Sequence, residues 1–128
     1  MVKGRSYILV LKLDRESIVE VGALGKIVFK PGYYLYVGSA KVGVSRICRH
    51  FRREKKLKWH IDYLSVVAEP LHAYLFHREE CDVAAMLAER FECIPRFGCS
   101  DCLCRSHLFY SAKLPTFHAP ILRPEDCR

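Results

Sequence analysis

Apolar residues crowd the segment Ser6–Leu13, where Tyr7, Ile8, Leu9, Val10, Leu11 and Leu13 are broken only by Lys12. A run this rich in β-branched and large apolar side chains predicts a strand. Residues 14–17 read as a turn, and residues 18–22 and 26–29 as a hairpin around Ala23, Leu24 and Gly25. Pro31-Gly32 marks the next turn. Residues 33–38 then form an aromatic strand ending in glycine, whose alternation puts Tyr34 and Tyr36 on one face and Tyr33 on the other. Successive antiparallel strands joined by short turns make a meander.

The period then changes from two to that of a helix. Val44, Ile47, Cys48 and Phe51 recur at i, i+3, i+4 and i+7, which predicts a helix over 44–55 with one apolar face. Arg46, His50 and Arg53 share another face and are expected to point together into solvent or a ligand. Residues 59–64 read as a short helix and 71–77 as a strand. Residues 79–91 read as a helix with acids at its start and Arg90 near its end. The remaining segment, 93–128, is rich in Cys and Pro, with one last strand at 107–110. The pattern predicts an α+β domain over 1–128, a small antiparallel sheet flanked by helices.

Composition narrows the class. A chain of 128 residues suits one domain. Its 51% hydrophobic content excludes a disordered chain, and 7 Gly with 6 Pro exclude a fibrous one. The apolar runs are too short to span a bilayer, and charged residues interrupt the N-terminal segment where a signal peptide would need an apolar stretch. A soluble cytoplasmic protein with no membrane partner is expected.

Charge adds more. The net charge is +7, and eight of the 21 Lys and Arg fall between Lys41 and Lys58, opposed there only by Glu54. Such a concentration suits a polyanion that releases counterions on binding; a solvated helix face is the alternative. Seven cysteines cannot all pair within one chain, and most are expected to be thiols or metal ligands. Cys99, Cys102, Cys104 and His107 have a spacing that could close a tetrahedral Zn²⁺ site. The alternatives are a thiol-lined loop, or Ser100, Asp101 and His107 bordering a functional cleft.

Tyr7, the run Gly32 to Ala40 (Gly-Tyr-Tyr-Leu-Tyr-Val-Gly-Ser-Ala), Arg46, His50, Trp59-His60-Ile61-Asp62-Tyr63-Leu64, Glu80-Cys81, Phe97 to Cys102 and Ser106 to Tyr110 occur in that order. This series resembles the GIY-YIG nuclease superfamily. It is most similar to a prokaryotic branch classed as a domain of unknown function, sometimes fused to a DNA-repair glycosylase. The resemblance implies a three-stranded antiparallel core, with a catalytic core over about 4–92 and the Cys-rich segment beyond it. An inserted hairpin over 17–29 accounts for the long interval between Tyr7 and Tyr36, Arg5-Ser6-Tyr7 stands for Gly-Ile-Tyr, and the superfamily's late Asn has no counterpart.

Carried over by position, the resemblance implies catalytic roles for Tyr7, Tyr36, Arg46, His50 and Glu80. Glu80 would hold Mg²⁺ or Mn²⁺, and Arg46 a phosphate oxygen. Gly38, Arg49, Arg53, Lys55, Lys56, Lys58 and His60 would contact nucleic acid. The implied function is metal-dependent endonucleolytic hydrolysis of DNA, in repair or processing, with RNA not excluded as substrate and DNA-repair proteins as partners. A non-catalytic nucleic-acid-binding module and a zinc-stabilised interaction domain are the alternatives.

Overall fold

The computed structural model describes residues 5–41, 43–52, 54–98 and 106–127. Its elements follow in order: β1 (Ser6–Leu13), β2 (Ser17–Glu20), β3 (Lys26–Phe29), β4 (Gly32–Ser39), α1 (Ser45–His50), α2 (His60–Ser65), β5 (Glu69–Phe76), α3 (Glu80–Ala88), β6 (Glu92–Cys93), β7 (Leu108–Ser111) and β8 (Ile121–Leu122). The architecture is α+β. β1 lies between β4 and β5, antiparallel to both, and the sheet runs β6-β7-β4-β1-β5-β8. The expected three central strands are present, but the sheet has six. The two-residue strands β6 and β8 are too short for a periodic signal, and pairing with β7 and β5 is what orders them.

β1 is covered on both faces, which is why its sequence is almost continuously apolar. Tyr7, Leu9, Leu11 and Leu13 face a cluster with Tyr34, Ile47, Ile61, Leu64 and Phe97. Ile8 and Val10 face the opposite cluster with Leu35, Val37, Val83 and Leu87. Each fully buried aliphatic side chain contributes about 1.5–3 kcal/mol. The helices therefore divide: α1 and α2 supply residues to the first face and α3 to the second. The hairpin β2–β3 forms its own two-stranded sheet and packs Val19 and Phe29 into the first cluster.

Two expectations change. The helix predicted over 44–55 ends at His50, because the Lys55 ammonium folds back and donates to the carbonyls of Arg49 and His50. Those are end groups that a continuing helix would have satisfied internally. Val44, assigned to its apolar face, is 49% exposed, while Ile47 is buried as expected. Cys48 is joined to Cys127 by a disulfide with Cα atoms 5.6 Å apart, tying the C-terminal turn Pro124–Cys127 to α1. These two are therefore outside the majority expected as thiols or metal ligands. No helix among the described residues is long and apolar enough to cross a membrane.

Candidate active site

The site lies at the sheet end where β1 begins. Register places Tyr7 opposite Gly38 on β4 and Leu75 on β5. Just beyond β5, the chain turns into α3 and delivers Glu80 as its first residue. A cleft of about 250 Å³ opens there, lined by Tyr7, Tyr36, Arg46, His60, Glu80 and His107 with Gly38, Ser39, Lys58, Trp59 and Gly98.

Gly38 is required by close approach. A Cβ at this position would overlap the Tyr7 hydroxyl and ring, so only glycine lets the phenol lie across β4. Gly38→Ala should displace Tyr7 and destabilise the protein by about 1–3 kcal/mol, measurable as a lowered urea midpoint. An unchanged midpoint would show that the ring is not held as described.

Behind the cleft, the Tyr7 hydroxyl and His50 Nε2 are 2.6 Å apart. His50 is 1% exposed, so it does not point with Arg46 into solvent or a ligand as their shared spacing predicts: it turns inward beneath Tyr7. Burial pushes its pKa down to about 3, assisted by the positive charge of Lys55, and the ring is neutral at pH 7. Its Nδ1 has no hydrogen-bond partner among the described residues. With Nδ1 protonated, Nε2 accepts the Tyr7 O–H; with Nε2 protonated, the ring donates to the Tyr7 oxygen. Burial also raises the Tyr7 and Tyr36 phenols well above their ordinary value, with the Arg46 charge acting in the opposite direction on both. Both are neutral phenols in this state.

His60 opens α2, and its Nδ1 accepts the Gly98 N–H at 2.9 Å. Burial lowers its pKa, so the neutral ring carries its proton on Nε2 and is a donor. Gly98 has φ +69°, a conformation that glycine adopts without strain. Arg46 lies with its guanidinium 5.1 Å from the Trp59 ring centroid, and no carboxylate pairs with it among the described residues.

The adjacent acids separate cleanly. Glu79 pairs with Lys41 on the surface at 3.1 Å, whereas Glu80 lines the cleft with no Lys or Arg partner among the described residues. A carboxylate offered in this way suits a hard divalent cation that retains much of its water. His107 sits across from it, Nδ1 to Oε2 3.6 Å. Cys99, Cys102 and Cys104 lie outside the described residues, as does Arg53. Among the described residues, no group of three or more His, Cys, Asp and Glu is arranged to hold a metal ion.

The basic segment divides into two kinds of residue. Arg49 forms a two-pronged pair with buried Asp62, at 2.6 and 2.9 Å, and Lys55 caps α1 while donating to Ser65. These cations hold the fold together, whereas Lys56 and Lys58 are exposed and Lys58 reaches the cleft rim. Asp62 was not singled out by sequence. Its one local signal is an acid three residues after Trp59, the residue that precedes the helix, and its carboxylate does accept the N–H groups of Lys58 and Trp59.

No curated protein and no solved structure matches this chain. A family model described as "Domain of unknown function DUF123" matches residues 6–123, nearly the whole chain, and therefore spans every element that builds the cleft. The chain belongs to the DUF123 domain family.

Proposed function

We propose that this protein is a divalent-metal-dependent nuclease of GIY-YIG type that hydrolyses phosphodiester bonds, with DNA as its substrate. The observation that carries this reading is convergence. Tyr7 from β1, Tyr36 from β4, Arg46 from α1 and Glu80 from α3 meet on one cleft with two further imidazoles, although they are spread over more than half the chain. A guanidinium with no carboxylate partner and a carboxylate with no Lys or Arg partner, among the described residues, face one cavity and match the demands of a phosphodiester and its counter-ion.

In this reading Glu80 holds Mg²⁺ or Mn²⁺, which when bound neutralises phosphate charge and assists the leaving oxygen. Arg46 grips a non-bridging phosphate oxygen, and Lys58 extends the positive rim. Tyr7, once its own proton has passed to solvent under the combined positive charge of the ion and Arg46, would accept a proton from the attacking water. His50, 2.6 Å from the Tyr7 oxygen through Nε2, would stabilise that phenolate by donating to it in the Nε2-protonated tautomer. The His60 Nε2–H supplies a neutral donor to phosphate. Tyr36, tilted against Tyr7 with ring centroids 6.3 Å apart, shapes the wall on which the water is oriented.

The test is cleavage of labelled single strand, duplex, flap, four-way junction and abasic duplex with Mg²⁺, Mn²⁺ or EDTA. Metal-dependent cutting that is absent from Glu80→Ala is the expected result. Binding without cutting under every condition would replace the nuclease with a non-catalytic nucleic-acid module.

A further inference from the structure

His107 was a zinc candidate with the cysteines, yet its side chain belongs to the cleft. Its Nδ1 is 3.6 Å from Glu80 Oε2, beyond hydrogen-bond range for an N–H···O contact. The separation has another meaning for two atoms that can both donate electron pairs. Ligands each about 2.1 Å from one metal, in neighbouring coordination positions, stand about 3–3.5 Å apart. The two groups are thus spaced close to what one shared ion requires.

Both are also held in place. The His107 N–H donates to the Phe97 carbonyl and its own carbonyl accepts the Val37 N–H, each at 2.8 Å, fixing the residue against β4. Its side chain is 3% exposed, whereas that of Glu80 is 37% exposed at the start of α3, so one ligand is rigid and the other can close on an ion. Glu79 is drawn away to Lys41 and does not compete.

We propose that His107 Nδ1 is a second protein ligand beside Glu80, giving a mixed imidazole–carboxylate site that prefers a first-row transition-metal dication such as Mn²⁺ over Mg²⁺. Magnesium favours oxygen donors, and an imidazole nitrogen shifts preference toward the transition metals. The proposal rests on the reading of Glu80 as the metal anchor, but it concerns binding and is tested without nucleic acid.

The full chain would be titrated with Mn²⁺, free ion being read by its electron paramagnetic resonance signal and nitrogen ligation by pulsed measurement of the ¹⁴N coupling. Wild type should bind one Mn²⁺ with a ¹⁴N coupling that persists in His60→Gln and disappears in His107→Gln. That second variant should lose about ten-fold or more in Mn²⁺ affinity and much less for Mg²⁺. Bound Mn²⁺ without ¹⁴N coupling in wild type overturns the proposal even if His107→Gln does not fold. A coupling that survives His107→Gln, or no Mn²⁺ binding, overturns it too. Nitrogen-ligated Mn²⁺ without cleavage of any substrate would leave this site standing and remove the nuclease; Mg²⁺-dependent cleavage without the coupling would do the reverse.

Discussion

Arg46→Ala should lower the rate of metal-dependent cleavage by about 10²–10³-fold while leaving the unfolding midpoint almost unchanged. The reason is the way this guanidinium is held. It lines the cleft, touches the Trp59 ring at 5.1 Å, and no carboxylate among the described residues neutralises it. Removing it orphans no buried acid, and the aromatic contact contributes only about 0.5–1 kcal/mol. A charge kept available at such a position acts on what enters the cleft. Arg46→Lys should recover part of the rate, since an ammonium restores the charge without the planar fork. Wild-type cleavage by Arg46→Ala would remove Arg46 from the site. A large loss of stability would assign it to the fold instead, as with Arg49.

The contrast between Arg46 and Arg49 also shows how far the sequence could be read. Both lie in the same basic run, three residues apart, and local spacing treats them alike. Only the fold brings Asp62 under Arg49 and leaves Arg46 with Trp59. Lys55 is a similar case: the apolar period continued past His50, but a side chain reaching back to two carbonyls ended the helix. What was legible was carried by local pattern. β1 follows from a continuous apolar run, the hairpin from two short runs around Gly25, and the division of Tyr34 and Tyr36 from Tyr33 from alternation. What was not legible depended on distant partners. Cys48 and Cys127 are 79 positions apart and no local pattern joins them. His107 reads either as a metal-spaced residue beside cysteines or as a residue bordering a cleft; that it lines the cleft opposite Glu80 in particular is set by β7 pairing with β4. Gly38 carries its own explanation, because a strand glycine facing a tyrosine marks a close approach.

Asp62→Ala is expected to be the most destabilising change, by about 3–5 kcal/mol in urea unfolding. The carboxylate is 0% exposed and accepts four hydrogen bonds, two from Arg49 and one each from the Lys58 and Trp59 N–H groups. Its removal leaves a partly buried guanidinium with the Lys56 carbonyl and the Trp59 ring as its partners among the described residues, and two helix-entry donors without their acceptor. Acid should act through the same residue. Burial by itself would raise the Asp62 carboxyl, but the bonds from Arg49, Trp59 and Lys58 outweigh it and the folded-state pKa lies below the ordinary value of 3.8. The stabilisation is therefore complete above that value and is lost as pH falls through the depressed folded pKa. Asp62→Asn, which cannot ionise, should be less stable at neutral pH and show a smaller further loss between pH 4 and the acid limit than wild type, by about one proton's worth of linkage. Equal pH slopes in the two proteins would mean that Asp62 does not carry this dependence. Because Asp62 sets the entry to α2, the same change should loosen Trp59 and His60 at the cleft. Cleavage should therefore fall in Asp62→Asn even under conditions where the protein remains folded, and restoring stability with an osmolyte should return part of it.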